Sequence, residues 1–225
     1  MILPLAVRPR AVLFDCDGVL ADTEALVNRI VAADLTERGW RLSGDQARET
    51  FLGMALPDML PMIEARVGVL PARWAHDLSY RIAATLQAEA APVPGAIEAV
   101  QAVVAAGLAV AVASNSGRAE LISKLERLGL ASLLGNRVFS FEDVPRPKPA
   151  PDIYRAAAAA CGVRPDECVV VEDSLLGARA GIAAGCRVLG LARETDASVL
   201  AAVGAVPFAR MQDLPHLLGL QEHAA

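Results

Sequence analysis

Large aromatic residues are scarce in this 225-residue chain, with five Phe, two Trp and two Tyr. A core built around big rings is therefore excluded, and the heavy use of alanine and valine instead suits helices packed closely on a sheet. The four cysteines, Cys16, Cys161, Cys168 and Cys186, show no C-x-x-C spacing. That removes a zinc ribbon or a redox couple and leaves buried free thiols. His76, His216 and His223 share no spacing with a second ligand, and nothing resembles a Ser-His-Asp arrangement. There is no basic run, and Asp and Glu outnumber Lys and Arg by 26 to 21, so neither nucleic acid nor an anionic membrane is expected as a partner. Every apolar window is broken by charge, Gly or Pro before about 20 residues, so no membrane-spanning helix is expected. The first ten residues hold Pro4, Arg8, Pro9 and Arg10 but lack the apolar stretch and cleavage site of a secretory leader. A cytoplasmic protein is the expectation. The length suffices for one sizeable core, or for a core with a small appended domain.

What the chain does have is Ala11-Val12-Leu13-Phe14, an uninterrupted apolar run that ends abruptly in Asp15-Cys16-Asp17-Gly18. Such a run reads as a parallel strand buried on both faces. Two carboxylates then stand at the carboxyl end of a buried strand, which is the edge where open α/β sheets bind ligands. Continued alternation puts Asp15 and Asp17 on one side with Cys16 turned the other way. Gly18 follows where the chain must turn or let a ligand approach its backbone.

Behind Leu20 the pattern stays helical for about seventy residues. Helices are expected from about Leu26 to Gly39, from an Asp45 cap to Leu52, over 57–67, and over 74–89. Ala91-Pro92-Val93-Pro94-Gly95 reads as a hinge. From Ala96 onward helices alternate with short apolar strands over 108–113, 138–140, 168–171 and 188–191, and the tail reads as short helices. The expected fold is α/β: a doubly wound, five-stranded parallel, Rossmann-like core from 1–21 and 92–225. An all-helical cap over 22–91 is inserted after the first strand.

Polar residues tip three of the strands: Asp15 and Asp17, Ser114 and Asn115, Glu172 and Asp173. The loop bearing Lys148 enters from the same side. Carboxylates crowded at the mouth of an apolar sheet stay protonated unless a cation is present, and one ammonium cannot balance them. An all-oxygen ligand set points to a hard ion, with Mg²⁺ favoured because a few carboxylates and phosphate oxygens suffice to hold it. The hydroxyl and backbone N–H groups at Ser114-Asn115, beside a helix start, suit a phosphate group.

With these motifs in order, the chain resembles the haloacid dehalogenase-like superfamily, in its beta-phosphoglucomutase-like and sugar-phosphatase branch. The first motif is 15–24, the second Ser114-Asn115-Ser116, the third Lys148-Pro149-Ala150-Pro151-Asp152, and the fourth runs from Val171-Glu172-Asp173-Ser174 to Gly177. The resemblance implies a phosphatase in which Asp15 is the nucleophile and Asp17 the acid and base. Asp15, the main-chain carbonyl of Asp17, and Asp173 would hold Mg²⁺, with Glu172 acting directly or through water. Ser114, Asn115 and Lys148 would bind the phosphoryl group. The substrate would be a small phosphorylated metabolite, a sugar phosphate foremost, and the protein a monomer or weak homodimer. A phosphosugar mutase is the alternative, but the histidine sought after Glu24 and the arginine sought after Gly53 are replaced by Leu26-Val27-Asn28 and Met54-Ala55-Leu56-Pro57. Asp22 and Glu24 suit either the N-terminus of the first cap helix or a contact with substrate.

Overall fold

The computed structural model describes residues 7–220, so Pro4 and His223 lie outside the described residues. The apolar run forms β1 (Ala11–Phe14), with all four side chains buried. The two-residue β2 (Ala21–Asp22) follows, then α1 (Glu24–Glu37), α2 (Gly44–Phe51), α3 (Leu56–Val67) and α4 (Trp74–Glu89). Next comes β3 (Ala91–Pro92), which pairs antiparallel with β2. The expected hinge is therefore a two-stranded stem in which both connections to the helical insert run side by side. Alternation then gives α5 (Ala96–Ala105), β4 (Ala109–Ala113), α6 (Arg118–Arg127), α7 (Ala131–Leu134) and β5 (Val138–Phe139). The described residues continue with α8 (Asp152–Ala160), β6 (Cys168–Glu172), α9 (Leu175–Ala184), β7 (Arg187–Leu191), α10 (Ala197–Ala202), β8 (Val206–Phe208) and α11 (Leu214–Leu217).

The main sheet has six parallel strands in the order β5-β4-β1-β6-β7-β8. The expectation of five strands is corrected by β8, a segment with Pro207 at its centre. Proline removes a ladder donor, which an edge position tolerates, and β8 is at the edge. Strand alternation splits the core into two layers. Val12, Phe14, Val112 and Val171 face one cluster with Val100, Val103 and Leu121. Leu13, Ala111 and Val170 face another with Ile153, Tyr154 and Ala178. Because β1 lies between β4 and β6, the three strands that end in polar residues are neighbours. The chain reverses its direction of winding at β1, the position that leaves a crevice at the carboxyl edge.

The insert has its own apolar centre, where Val31, Leu35, Phe51, Ile63, Trp74, Leu78 and Leu86 meet. Ser43, rather than the expected Asp45, caps α2. Its hydroxyl accepts from the Gln46 N–H at 3.2 Å while its own N–H donates to the Gln46 side chain at 2.9 Å, a capping box. Asp45 sits in the first turn, where its charge still favours the helix dipole.

A buried carboxylate ties α1 to α4. Asp34 is 3% exposed and accepts hydrogen bonds from Trp74 Nε1 at 2.6 Å, from Arg38 Nε at 2.8 Å and from Arg81. Burial alone would raise its pKa, but those three donors outweigh burial and hold the group below the usual carboxylate range. A depressed folded-state pKa contributes stability that is present above the unfolded value, about 3.9, and lost as pH falls through the folded value. Asp34→Asn should lower stability toward urea by about 1–3 kcal/mol at pH 7, and the gap to wild type should close as pH falls below about 4.

Candidate active site

A cavity of about 740 Å³ lies between the insert and the carboxyl edge of the sheet. Asp15 leaves β1 with its N–H on the Val171 carbonyl at 2.9 Å, so sheet pairing still sets its position. The strand ends at Phe14, yet Cys16 turns into the core while Asp15 and Asp17 both line the cavity. Gly18 closes the turn at φ 71°, with its N–H on the Ala21 carbonyl at 2.9 Å. A Cβ there would sit 1.9 Å from Asp173 Oδ2, so both the conformation and the close approach require glycine.

Lys148 is the hub on the floor of the cavity. Its ammonium is 2% exposed and lies 2.5 Å from Asp15 Oδ1 and 2.6 Å from Glu172 Oε1. Burial works against its charge, but the adjacent Asp15 and Glu172 carboxylates hold its pKa above the usual lysine value. The other partners of Glu172 are the Tyr154 hydroxyl at 2.8 Å, the Ser174 hydroxyl at 3.0 Å and the N–H groups of Asp173 and Ser174, both at 3.1 Å. Glu172 packs against the first turn of α9 so closely that a Cβ on Gly177 would lie 1.6 Å from its carboxylate, which explains the glycine in the fourth motif.

Asp173 is 2% exposed, and its Oδ2 has no hydrogen-bond partner. Asp15, Glu172 and Asp173 offer oxygens that all lie within 4.8 Å of one another. Burial pushes the Asp15 carboxyl up to about 7, with Lys148 drawing it back and Glu172 and Asp17 adding to the rise. Burial, then the Glu172 and Asp15 charges, push Asp173 well above the usual carboxylate range. An orphaned buried oxygen among carboxyls short of positive charge fits a hard cation, and this buried triad can hold a metal.

Asp17 has a separate set of partners. Its Oδ2 accepts from Lys124 Nζ at 2.5 Å, Ser116 Oγ at 2.8 Å and Ser114 Oγ at 3.3 Å, and its Oδ1 from Thr23 Oγ1 at 2.7 Å. Burial would raise its pKa, but Lys124 and these donors hold the carboxyl below its usual range. Lys124, 1% exposed, is absent from the motifs, as are the partners Ser116, Thr23 and Tyr154 from the roles assigned by sequence. A signal for Lys124 does exist, because Leu121, Lys124 and Leu125 share one face of α6 at i, i+3 and i+4, and a lysine on a buried stripe needs a buried counter-charge.

The Asn115 side chain is held by two main-chain segments. Its carboxamide donates to the Gly53 carbonyl at 2.9 Å and the Lys148 carbonyl at 3.2 Å, and accepts from the Lys148 N–H at 3.0 Å. The side chain thus fastens the Lys148 loop to the insert. The insert is also joined to the core by Ser79 to Glu120 at 2.5 Å and by the Arg48–Glu194 ion pair. Glu24 lines the cavity from the insert side with Oε2 buried and partnerless. Burial, with the Asp17 and Glu194 charges, pushes its carboxyl up to about 7 while Arg48 draws it back.

A model of the haloacid dehalogenase-like hydrolases matches residues 9–185. The chain is 28% identical over 212 residues to 6-phosphogluconate phosphatase of Escherichia coli, covering 93% of this chain and 95% of the relative. It is 30% identical over 204 residues to hexitol phosphatase A of the same organism, covering 84% and 86%. Among solved structures, CbbY of Rhodobacter sphaeroides in complex with xylulose-1,5-bisphosphate superposes with a TM-score of 0.81 at 26% identity, over 95% of this chain and 99% of that one. Among the described residues no helix is long and apolar enough to cross a membrane.

The Lys124–Asp17 pair makes a stability prediction. Lys124→Met should cost about 2–4 kcal/mol in urea unfolding by leaving Asp17 without its counter-charge, and adding Asp17→Asn should recover part of that loss.

Proposed function

The chain belongs to the haloacid dehalogenase-like hydrolases, in their sugar-phosphatase and beta-phosphoglucomutase-like branch, and we propose that it is a Mg²⁺-dependent phosphomonoesterase working through an aspartyl-phosphate on Asp15. The observation that carries this reading is the Lys148 ammonium between Asp15 and Glu172, beside the partnerless oxygen of Asp173. Asp15, Asp173 and the main-chain carbonyl of Asp17 would hold the ion, with Glu172 acting through water because its oxygens already accept five hydrogen bonds. Bound there, Mg²⁺ neutralises phosphoryl charge.

In the first half-reaction an Asp15 oxygen bonds to phosphorus as the ester P–O bond breaks, and Asp17 delivers a proton to the departing alkoxide. In the second, Asp17 takes a proton from the water that attacks the aspartyl-phosphate, and the Asp15 carboxylate is restored. The base half matches the resting geometry, in which Lys124, Thr23 and Ser116 keep Asp17 ionised. The acid half draws on a proton that enters with the substrate monoester. Acid–base work of this kind is worth about 10²–10⁴ in rate. Lys148 and the Ser114 hydroxyl, together with the N–H of Asn115, meet the developing charge on the phosphoryl oxygens. The insert, joined to the core at Gly53, Ser79 and Arg48, covers the site and excludes water.

The relatives named for 6-phosphogluconate and hexitol phosphates support a small phosphorylated carbohydrate as substrate. The mutase alternative needs cations on the insert for a second phosphate, and among the described residues the insert lines the cavity with neither Lys nor Arg.

With p-nitrophenyl phosphate and Mg²⁺, Asp15→Asn should lower kcat by about a thousandfold or more, and activity close to wild type would remove the nucleophile assignment. Mg²⁺ at about a hundredfold over its Kd should raise the wild-type Tm by about 5–10 °C, and Asp173→Asn should abolish that rise.

A further inference from the structure

The two walls of the cavity differ in chemistry. On the core side are the groups of the phosphoryl site. On the insert side the surface is largely apolar, with Val27, Val31, Leu52, Met54 and Met59 near the α1 polar side chains Asn28 and Glu24, and α4 adds His76, Ser79 and Tyr80. Glu24 Oε2 is sealed from solvent without a hydrogen-bond partner. A buried acceptor in that condition is costly, and a hydroxyl entering the cavity would relieve it.

Positive charge near this wall is already committed. Lys148 is bound by Asp15 and Glu172, Arg118 is paired with Asp143, and Arg48 is paired with Glu194. His76 lines the mouth and is exposed, with Asp77 3.2 Å away. Two further carboxylates, Glu120 and Glu142, face the cavity, the first accepting from Ser79 and the second from the Arg118 N–H. A second anionic group on the substrate would lose its hydration here and find no cation to replace it.

We propose that Glu24 is the specificity-determining residue of this cleft, accepting a hydrogen bond from a hydroxyl of the leaving group, and that the site takes the monophosphate of an uncharged polyol and turns away esters with a second anionic group. This rests on the phosphatase reading above and separates the chain from relatives named or captured with an acidic sugar or a bisphosphate.

The test compares sorbitol 6-phosphate with 6-phosphogluconate, which match in length and phosphate position and differ by a carboxylate, with p-nitrophenyl phosphate alongside. The full chain with Mg²⁺ should prefer sorbitol 6-phosphate in kcat/KM by about tenfold or more. Glu24→Gln, which removes charge but keeps an acceptor, should narrow that ratio to about threefold by improving the acidic sugar. Glu24→Leu, which removes both, should raise KM for sorbitol 6-phosphate by about tenfold with a smaller change in kcat. Equal wild-type efficiency on the two sugars overturns the proposal without needing either variant. So does a ratio unmoved by Glu24→Gln, or turnover of p-nitrophenyl phosphate alone, and each of these leaves the phosphatase reading standing. No turnover of any of the three esters overturns both.

Discussion

The Lys148 ammonium, held between Asp15 and Glu172 with almost no access to water, is the interaction on which the rest of the site depends. It is the positive charge that lets the Asp15 and Glu172 carboxylates occupy the same dry floor. One ammonium does not balance Asp15, Glu172 and Asp173 together, and the shortfall is visible where it would be expected, in the raised Asp15 and Asp173 carboxyls and in an Asp173 oxygen with nothing to accept from. The site is therefore built one cation short. Asp17, a few residues away in sequence, avoids the same shortage by having Lys124 to itself.

Sheet topology explains why so few residues suffice. Placing β1 between β4 and β6 brings three separate stretches of chain to one edge, and the parallel register carries Asp15, Ser114 and Asp173 there from strands buried on both faces. The insert adds no ligand to that floor. It supplies a wall of different chemistry, carried on the β2–β3 stem, whose first strand leaves the turn that follows Asp17.

Much of this was legible in the residues. Apolar runs ending in polar ones located β1, β4 and β6, and seventy helical residues between Leu20 and Ala91 announced the insert. The family pattern names 15, 17, 114, 148, 172 and 173, and the structure lines one cavity with all of these but Glu172, which is buried beside Asp15 and Asp173. What stayed hidden has physical reasons. A three-residue edge strand with Pro207 has too short a period to be read. The β2–β3 stem is two residues on each side, and its pairing is a tertiary fact. Lys124 belongs to no motif because its partner is 107 positions away, although its place between Leu121 and Leu125 is a signal. Asn115 sits in the right motif, but no motif specifies which way a carboxamide turns once a neighbouring loop offers it both a donor and an acceptor.

That carboxamide has a consequence for motion. One amide grips the main chain of Lys148 on one side and Gly53 of the insert on the other, while the paired strands of the stem keep both crossing segments in step. Lifting the insert from Gly53 therefore breaks a bond belonging to the same side chain that braces the lysine loop. Access to the cleft and the steadiness of the charge beside Asp15 are in this way mechanically linked, as a latch is to the bolt it holds.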